Sequence, residues 1–443
     1  MKHILIIGAG RSSTALINYL INTAEEQDWK VTVADSDINI AKVKTAHSDV
    51  AEGVELDVND EAIRQDLIRD KDIVVSLLPA FLHPIVAKDC LLFSKHLVTA
   101  SYLNEEIRNM EAEAISKGLL FMGEMGLDPG IDHMSAMKTI HEIKESGGEL
   151  SAFYSYTGGL IAPESDDNPW SYKFTWNPRN VVLAGQGTAQ YLNKGNIKYI
   201  PYNRLFSERK VIQVPELGPY DVYANRDSLP YRKLYGLDDI PTILRGTIRA
   251  NGYCDAWNTL VRIGLTDDSF DLDLSKIKTY AQLVESFILG SYPDIKTGVA
   301  NFLDLSVDDE IIRKLEWTEL FSDRPIRLKK ATPAQALEDL LLDKWALKKE
   351  DKDMIIMQHQ FEYELDGAQK KIVSSMVTKG EDAVNTSMAK TVGLPVAILV
   401  KLILQGKVTL SGVHIPVMAE VYNPVLDELK DYGIDFIDEY ISA

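Results

Sequence analysis

From residue 1 to about residue 125, short apolar runs alternate with stretches whose apolar residues recur at helical spacing, the pattern of successive βαβ units. Six strands are predicted, at Ile4–Ile7, Val31–Ala34, Val54–Leu56, Ile73–Leu77, Leu97–Thr99 and Leu119–Met122. The helices between them include Ser13–Thr23, Asn59–Ile68 and Glu105–Ser116. Right-handed crossovers turn this series into a doubly wound parallel sheet. Beyond residue 146 aromatics, prolines and alternating segments take over, among them Phe153–Tyr156, Val211–Val214 and Thr247–Arg249. Residues 266 to 350 return to helical spacing, notably Pro333–Leu347, and Met354–Tyr363 and Lys371–Val377 resume the strand pattern. Ser387–Gln405 reads as a buried helix that Pro395 bends or restarts, packed back against the first domain.

The expected fold is α/β: a Rossmann doubly wound parallel sheet plus a mixed α/β substrate-binding domain with a helical insertion. The expected boundaries are residues 1–128 and 386–443 for the dinucleotide-binding domain, 129–265 and 350–385 for the substrate-binding domain, and 266–349 for the insertion.

Composition narrows the function. A chain of 443 residues is too long for one core, and a formal charge of −19 gives no basic surface for a polyanion, so nucleic acid is not an expected partner. An acidic surface also repels anionic substrates at long range, so an acidic substrate needs local arginines. The N-terminus lacks the layout of a signal peptide, and the longest apolar run, Val392–Leu404, is interrupted by Pro395 and Lys401. A cytoplasmic protein with no membrane partner is expected. Cys90 and Cys254 offer neither a disulfide framework nor metal-ligand spacing, and no metal is expected.

Gly8-Ala9-Gly10 closes the first predicted strand and opens a helix, so backbone amides there can face a pyrophosphate. Gly8, Gly10, Arg11, Ser12 and Ser13 form this loop, with Ser13 in the third small-residue position of the fingerprint. Asp35, at the end of the second strand, suits the adenosine ribose hydroxyls and repels a 2′-phosphate, which favours NAD; the alternative use of Asp35 is as a cap on the following helix. Arg11 offers a cation to a 2′-phosphate, so NADP is the alternative cofactor. Further on, G-L-D-P-G-I-D-H at Gly126–His133 puts an acid, Asp128, and a rigid turn, Pro129-Gly130, outside the carboxyl end of the last strand, where open sheets bind ligands. The same residues also suit a plain tight turn. His133 has no second ligand at metal spacing and reads as a cap or packed group.

The chain resembles the saccharopine dehydrogenases of the L-glutamate-forming type, also called saccharopine reductases. The likeness rests on L-L-P at Leu77–Pro79, T-A-S-Y at Thr99–Tyr102, Gly126–His133, S-Y-T-G-G-L at Ser155–Leu160 and A-P-E-S-D-D-N-P at Ala162–Pro169. It continues in Y-K-F-T-W at Tyr172–Trp176, N-R-D-S at Asn225–Ser228, R-G-T-I-R at Arg245–Arg249 and M-A-K-T-V-G-L-P at Met388–Pro395. The resemblance implies a homodimer in which Ala100, Ser101, Leu127, Asp128, Pro129 and Thr175 line the nicotinamide half of the cofactor. It puts Asp57, Val58 and Leu78 on the adenine or pyrophosphate side. By the same likeness, substrate contacts fall on Ser101, Tyr102, Asp128, Arg226, Thr247, Ile248 and Arg249. Two departures stand out: Thr157 occupies the position of a cysteine near the family's active site, and Ser13 that of a glycine or similar small residue.

The arginines agree with this on chemical grounds, because planar guanidinium groups grip carboxylates at two points and saccharopine carries three. Arg226 and Arg249 are the expected anchors. The implied reaction is oxidative cleavage of saccharopine with NAD and water to L-glutamate and 2-aminoadipate 6-semialdehyde, reversible, in lysine metabolism. Removing hydride from the carbon beside the secondary amine requires a neutral nitrogen, so a proton acceptor is needed, and Asp128, then Tyr102, are the candidates. Rival assignments are an NADP-dependent reductase in lysine biosynthesis, lysine 6-dehydrogenase, carboxynorspermidine dehydrogenase, or a nucleotide-sensing subunit without turnover.

Overall fold

The computed structural model describes residues 1–442, in two compact units: Met1–Glu149 with Met376–Ile437, and Leu150–Ser375 with the segment from Asp438. In the first unit the six expected strands form, as β1 (His3–Ile7), β2 (Lys30–Asp35), β3 (Ala51–Glu55), β4 (Ile73–Ser76), β5 (His96–Thr99) and β6 (Leu120–Met122). A seventh, β15 (Gly412–His414), pairs parallel with β6, giving the order β15-β6-β5-β4-β1-β2-β3. Every registered pair is parallel, and the middle strands β1 and β4 are buried almost throughout, as a sheet covered on both faces requires.

Several expected boundaries move. The helix expected over Glu105–Ser116 is broken into Glu105–Arg108 and Glu111–Ser116. The helix Ile131–Glu145 belongs to the first unit rather than the second, because it packs along the helix Ala419–Leu429 and its His141 Nδ1 lies 2.7 Å from the Tyr422 hydroxyl. Ser387–Leu404 continues through Pro395 as one helix instead of restarting. It is apolar and long enough to cross a membrane by composition alone, yet 78% of it is buried in the protein, packed on the helix Thr14–Gln27. That packing offsets the hydrogen bond proline cannot make.

The second unit holds a nine-stranded sheet. Its strands are β7 (Glu149–Ile161), β8 (Ala189–Asn193), β9 (Asn196–Ile200), β10 (Lys210–Val214), β11 (Gly218–Ala224), β12 (Thr242–Ala250), β13 (Asp353–Leu365), β14 (Ala368–Lys379) and β16 (Ile437–Ser442). The main path runs β10-β11-β12-β7-β13-β14-β16, with β12 antiparallel to β11 and parallel to β7, so the sheet is mixed as expected. The 266–349 stretch forms the helices Tyr280–Glu285, Ile295–Leu303, Glu310–Trp317 and Pro333–Lys344, but it is part of this unit and not a separate body. Trp345, directly after the last of them, packs edge-on against Trp170, Tyr172 and Phe174, and the Trp170 indole donates to the Lys314 carbonyl at 2.8 Å. Fully buried aromatics of this size tie the helices to the sheet.

Candidate active site

In the first unit the dinucleotide loop has the geometry its glycines imply. Gly8 has φ +107°, and a Cβ there would stand 3.0 Å from the Leu77 carbonyl oxygen. A Cβ at Gly10 would meet nothing in the protein, so its absence keeps the loop open on the solvent side, as close approach of a pyrophosphate requires. Arg11–Ser13 form a single 3-10 turn that leads into the helix Thr14–Gln27, Arg11 exposed and Ser13 buried. Asp35 is not the helix cap: that is Asp37, whose side chain accepts from the Asn39 amide. Instead Asp35 accepts from the Ala9 amide at 2.7 Å and the Asp37 amide at 3.0 Å, which fixes a carboxylate at the end of β2 against the glycine loop. Asp57 closes a turn by accepting from the Asn59 amide at 2.9 Å, Val58 is buried, and Leu78 is half-buried just past β4.

Sequence reasoning missed Lys44. Its Nζ donates to the Gly10 carbonyl and Ser13 Oγ, both at 2.7 Å, and to Thr14 Oγ1 at 3.1 Å, while Ser13 Oγ donates to the Gly10 carbonyl at 2.8 Å. The serine in the third position is therefore part of a clamp, not merely a tolerated small residue. Burial lowers the Lys44 ammonium to about 8, and Asp35 partly offsets that. The charge is present below this value and lost as pH rises through it, so affinity for the dianionic pyrophosphate is expected to fall on the order of tenfold from about pH 7 to about pH 9. Fluorescence titration with NADH checks this, and Lys44→Met is expected to give a flat profile.

The second cluster is built on Gly126–His133. The Gly126 amide donates to the Pro129 carbonyl at 2.9 Å, Ile131 donates back to Gly126 at 2.8 Å, and the Gly130 amide donates to Asp132 Oδ1 at 2.6 Å. The Asp128–Pro129 bond is cis, and Gly130 has φ +146° with room for no Cβ, since one would stand 2.0 Å from the Gly126 carbonyl oxygen. The turn holds Leu127 and Pro129 buried and Asp128 half-buried. Ala100 touches it: a Cβ on Gly126 would lie 3.1 Å from that of Ala100.

Glu124, also missed, joins this turn to the segment after β5. Almost fully buried, it donates its amide to the Ser101 carbonyl at 2.9 Å and accepts from Arg108 Nη2 at 3.1 Å and the Leu103 amide at 3.3 Å; its other oxygen lies 3.0 Å from His133 Nε2. A buried carboxylate is tolerated only when so paired. His133 is thus a packed structural group, as expected, and Ser101, Tyr102 and Asp128 are carried on loops that Glu124 ties together. Tyr102 is 48% exposed, so its hydroxyl is within reach of a ligand.

In the second unit the period-two alternation of β12 puts Arg245, Thr247 and Arg249 on one face of the strand and Ile248 on the other. Ile248 is fully buried, so its side chain is core and only its backbone stands beside the anchors. Thr247 pairs in register with Tyr223 of β11 and Thr157 of β7. The Arg249 guanidinium is 3% exposed and sits 5.2, 5.8 and 5.6 Å from the rings of Tyr172, Tyr223 and Tyr253. Its Nη1 donates to the Ile248 carbonyl at 2.9 Å and its Nε meets no acceptor among the described residues. Thr157 Oγ1 and Thr175 Oγ1 are likewise buried without a hydrogen-bond partner among them. Arg226 is exposed, with φ +45°, at the turn after β11. Orphaned polar atoms of this kind are open to a hydrogen bond from a ligand or a water molecule.

The comparisons with known proteins match both units. The family model described as "Saccharopine dehydrogenase NADP binding domain" covers residues 4–122, and "Saccharopine dehydrogenase C-terminal domain" covers residues 126–434. The chain belongs to the saccharopine dehydrogenase family. It is 34% identical to the NADP(+), L-glutamate-forming saccharopine dehydrogenase of Saccharomyces cerevisiae over 98% of both chains. It is also 34% identical to the mitochondrial alpha-aminoadipic semialdehyde synthase of Mus musculus, over 98% of this chain and 47% of that one. The solved apo structure of the yeast saccharopine dehydrogenase superposes with a TM-score of 0.92 over the full length of both chains, at 32% identity. The expected family and α/β fold are therefore borne out, as is an NAD(P)-dependent oxidoreductase acting on CH–NH bonds.

Proposed function

We propose that this protein oxidises saccharopine with NAD and water to L-glutamate and 2-aminoadipate 6-semialdehyde, and catalyses the reverse condensation. The observation that carries this reading is the buried Arg249 guanidinium, caged by aromatic rings and lacking any carboxylate partner among the described residues. A buried cation without its counter-charge fits an anionic ligand, and a ligand with several carboxylates also engages the exposed Arg226.

When bound, the nicotinamide accepts hydride from the carbon next to the secondary amine. Asp128, half-buried on its rigid turn, takes the amine proton so that the nitrogen lone pair is available, and Tyr102 holds a proton at its hydroxyl for the later steps. Water adds to the resulting imine, and the carbinolamine breaks its C–N bond as the nitrogen is protonated, releasing glutamate. Thr157 cannot shuttle protons near neutral pH as a thiol would, so its hydroxyl serves only to hydrogen-bond the ligand.

NAD is the proposed cofactor because Asp35 presents a negative charge where a 2′-phosphate would sit. The second reading, NADP, is favoured by Lys44, a cation close enough to feel the charge of Asp35, and by the relatives' use of NADP(+). Initial rates with saccharopine and each cofactor, with the products identified, test both. Glutamate release with kcat/KM for NAD above that for NADP supports the proposal. A preference for NADP overturns the role given to Asp35, and activity with lysine but not saccharopine overturns the substrate.

A further inference from the structure

His83, the first residue of the helix His83–Phe93, is 1% exposed, and both of its ring nitrogens are engaged: Nδ1 lies 2.8 Å from Ser76 Oγ and Nε2 lies 2.8 Å from Ser101 Oγ. Thr99 Oγ1 stands farther off, 3.4 Å from Nε2, at the outer edge of a hydrogen bond, and accepts from the Ser101 amide at 3.2 Å. Burial alone lowers the imidazole to about 4, so the ring is neutral at physiological pH and carries one N–H and one lone pair.

A neutral ring between two hydroxyls allows two proton orders. In one, Ser101 donates to Nε2 and Nδ1–H donates to Ser76; the Ser76 proton, on a fully buried residue with no other partner among the described residues, is then stranded. In the other, Ser76 donates to Nδ1 and Nε2–H donates to Ser101, and the proton left over is that of the half-buried Ser101. An unmet buried donor is costly and a donor open to a ligand is not; the Thr99 proton, 3.4 Å from Nε2, gains at most a marginal bond in either order, so Ser76 decides for the second.

We infer that His83 is a positioning residue: it holds the Ser101 hydroxyl as an obligate donor, aimed away from the ring, for an oxygen acceptor on the bound ligand. That acceptor is a carboxylate of the substrate or the carboxamide carbonyl of the nicotinamide, both of which take a hydrogen bond and give none. The inference rests on the proposed reading only in making Ser101 a ligand contact.

Two measurements test it. Histidine-selective 15N NMR, with His83 assigned by its loss in His83→Met, is expected to show the Nε2–H tautomer in the ligand-free protein; an Nδ1–H tautomer overturns the inference whatever the protein's activity. Kinetics then compare His83→Met, His83→Gln, Ser101→Ala and the His83→Met/Ser101→Ala pair. His83→Met is expected to raise one KM about tenfold, for saccharopine if the acceptor is its carboxylate and for the cofactor if it is the carboxamide, with kcat nearly unchanged. Gln, whose amide donates from nearly the same place as Nε2, is expected to restore most of it. The double variant is expected to be no worse than Ser101→Ala in KM, even if its melting temperature is lower. A further KM loss in the Ser101→Ala background, no recovery with Gln, or unchanged KM values in His83→Met overturn the inference. Absence of saccharopine turnover by the wild-type protein overturns the proposed reaction instead.

Discussion

Asp128→Asn is expected to lower kcat for saccharopine oxidation by about two to four powers of ten, the range for loss of a general acid–base group. Asn keeps the shape and a hydrogen-bonding oxygen but has no basic site for the amine proton. The turn itself is held by the backbone bonds from Gly126, Gly130 and Ile131 and by the Asp132 carboxylate, bonds that Asp128→Asn leaves in place. NADH affinity and melting temperature are therefore expected to stay near wild type, and the loss is expected in kcat and kcat/KM together, the sign of an interaction made only on the way to the transition state. Tyr102→Phe provides the comparison: it removes one hydroxyl from a half-exposed side chain and is expected to cost less. Near-normal kcat in Asp128→Asn, with a raised KM, reduces Asp128 to a binding role.

The sheet of the first unit was legible because buried parallel strands write themselves as apolar runs, and because Gly8, Gly10 and Asp35 punctuate the strand ends as a dinucleotide fingerprint does. β15 was not, since a three-residue strand contributed from near the C-terminus carries no periodicity. The helix at Ile131–Glu145 was placed in the wrong unit because the motif before it marks a site, while its unit is set by packing against a helix almost three hundred residues later, as the His141–Tyr422 contact shows with a separation of 281. Residues with recognisable chemistry at a strand end could be named from the sequence. Lys44, His83 and Glu124 were not, because each acts through partners distant in sequence: Lys44 through Gly10 and Ser13, His83 through Ser76 and Ser101, Glu124 through Arg108 and His133. A lone lysine on a helix or histidine after a proline-containing turn is common, and only three-dimensional proximity gives it a role. Ile248, named among the contacts through the family resemblance, has its side chain turned into the core by strand alternation, which leaves only its backbone for a ligand.

Arg249→Met is expected to separate binding from stability. In the ligand-free protein the guanidinium is desolvated with one carbonyl acceptor and no carboxylate among the described residues, so an apolar residue of similar length relieves a burial cost of about 1–4 kcal/mol. Against this stands the loss of the cation–π contacts to Tyr172, Tyr223 and Tyr253, each worth about 2 kcal/mol for a cation desolvated as this one is. The lost contacts outweigh the relief, and the variant is expected to fold with a melting temperature modestly below wild type. Substrate binding has no such compensation: a ligand carboxylate brought to this site without its counter-charge costs about 2–5 kcal/mol, a rise of roughly thirty- to several-thousandfold in KM for saccharopine. Thermal shift with saccharopine reads both quantities together, because a ligand at about 100 times its dissociation constant stabilises by about 2.7 kcal/mol. Wild type is expected to show that shift and Arg249→Met to lose it, each measured from its own ligand-free melting temperature. A variant that keeps the ligand-induced shift removes Arg249 from the substrate site, and one that melts far lower without ligand shows that the arginine is held there for the fold.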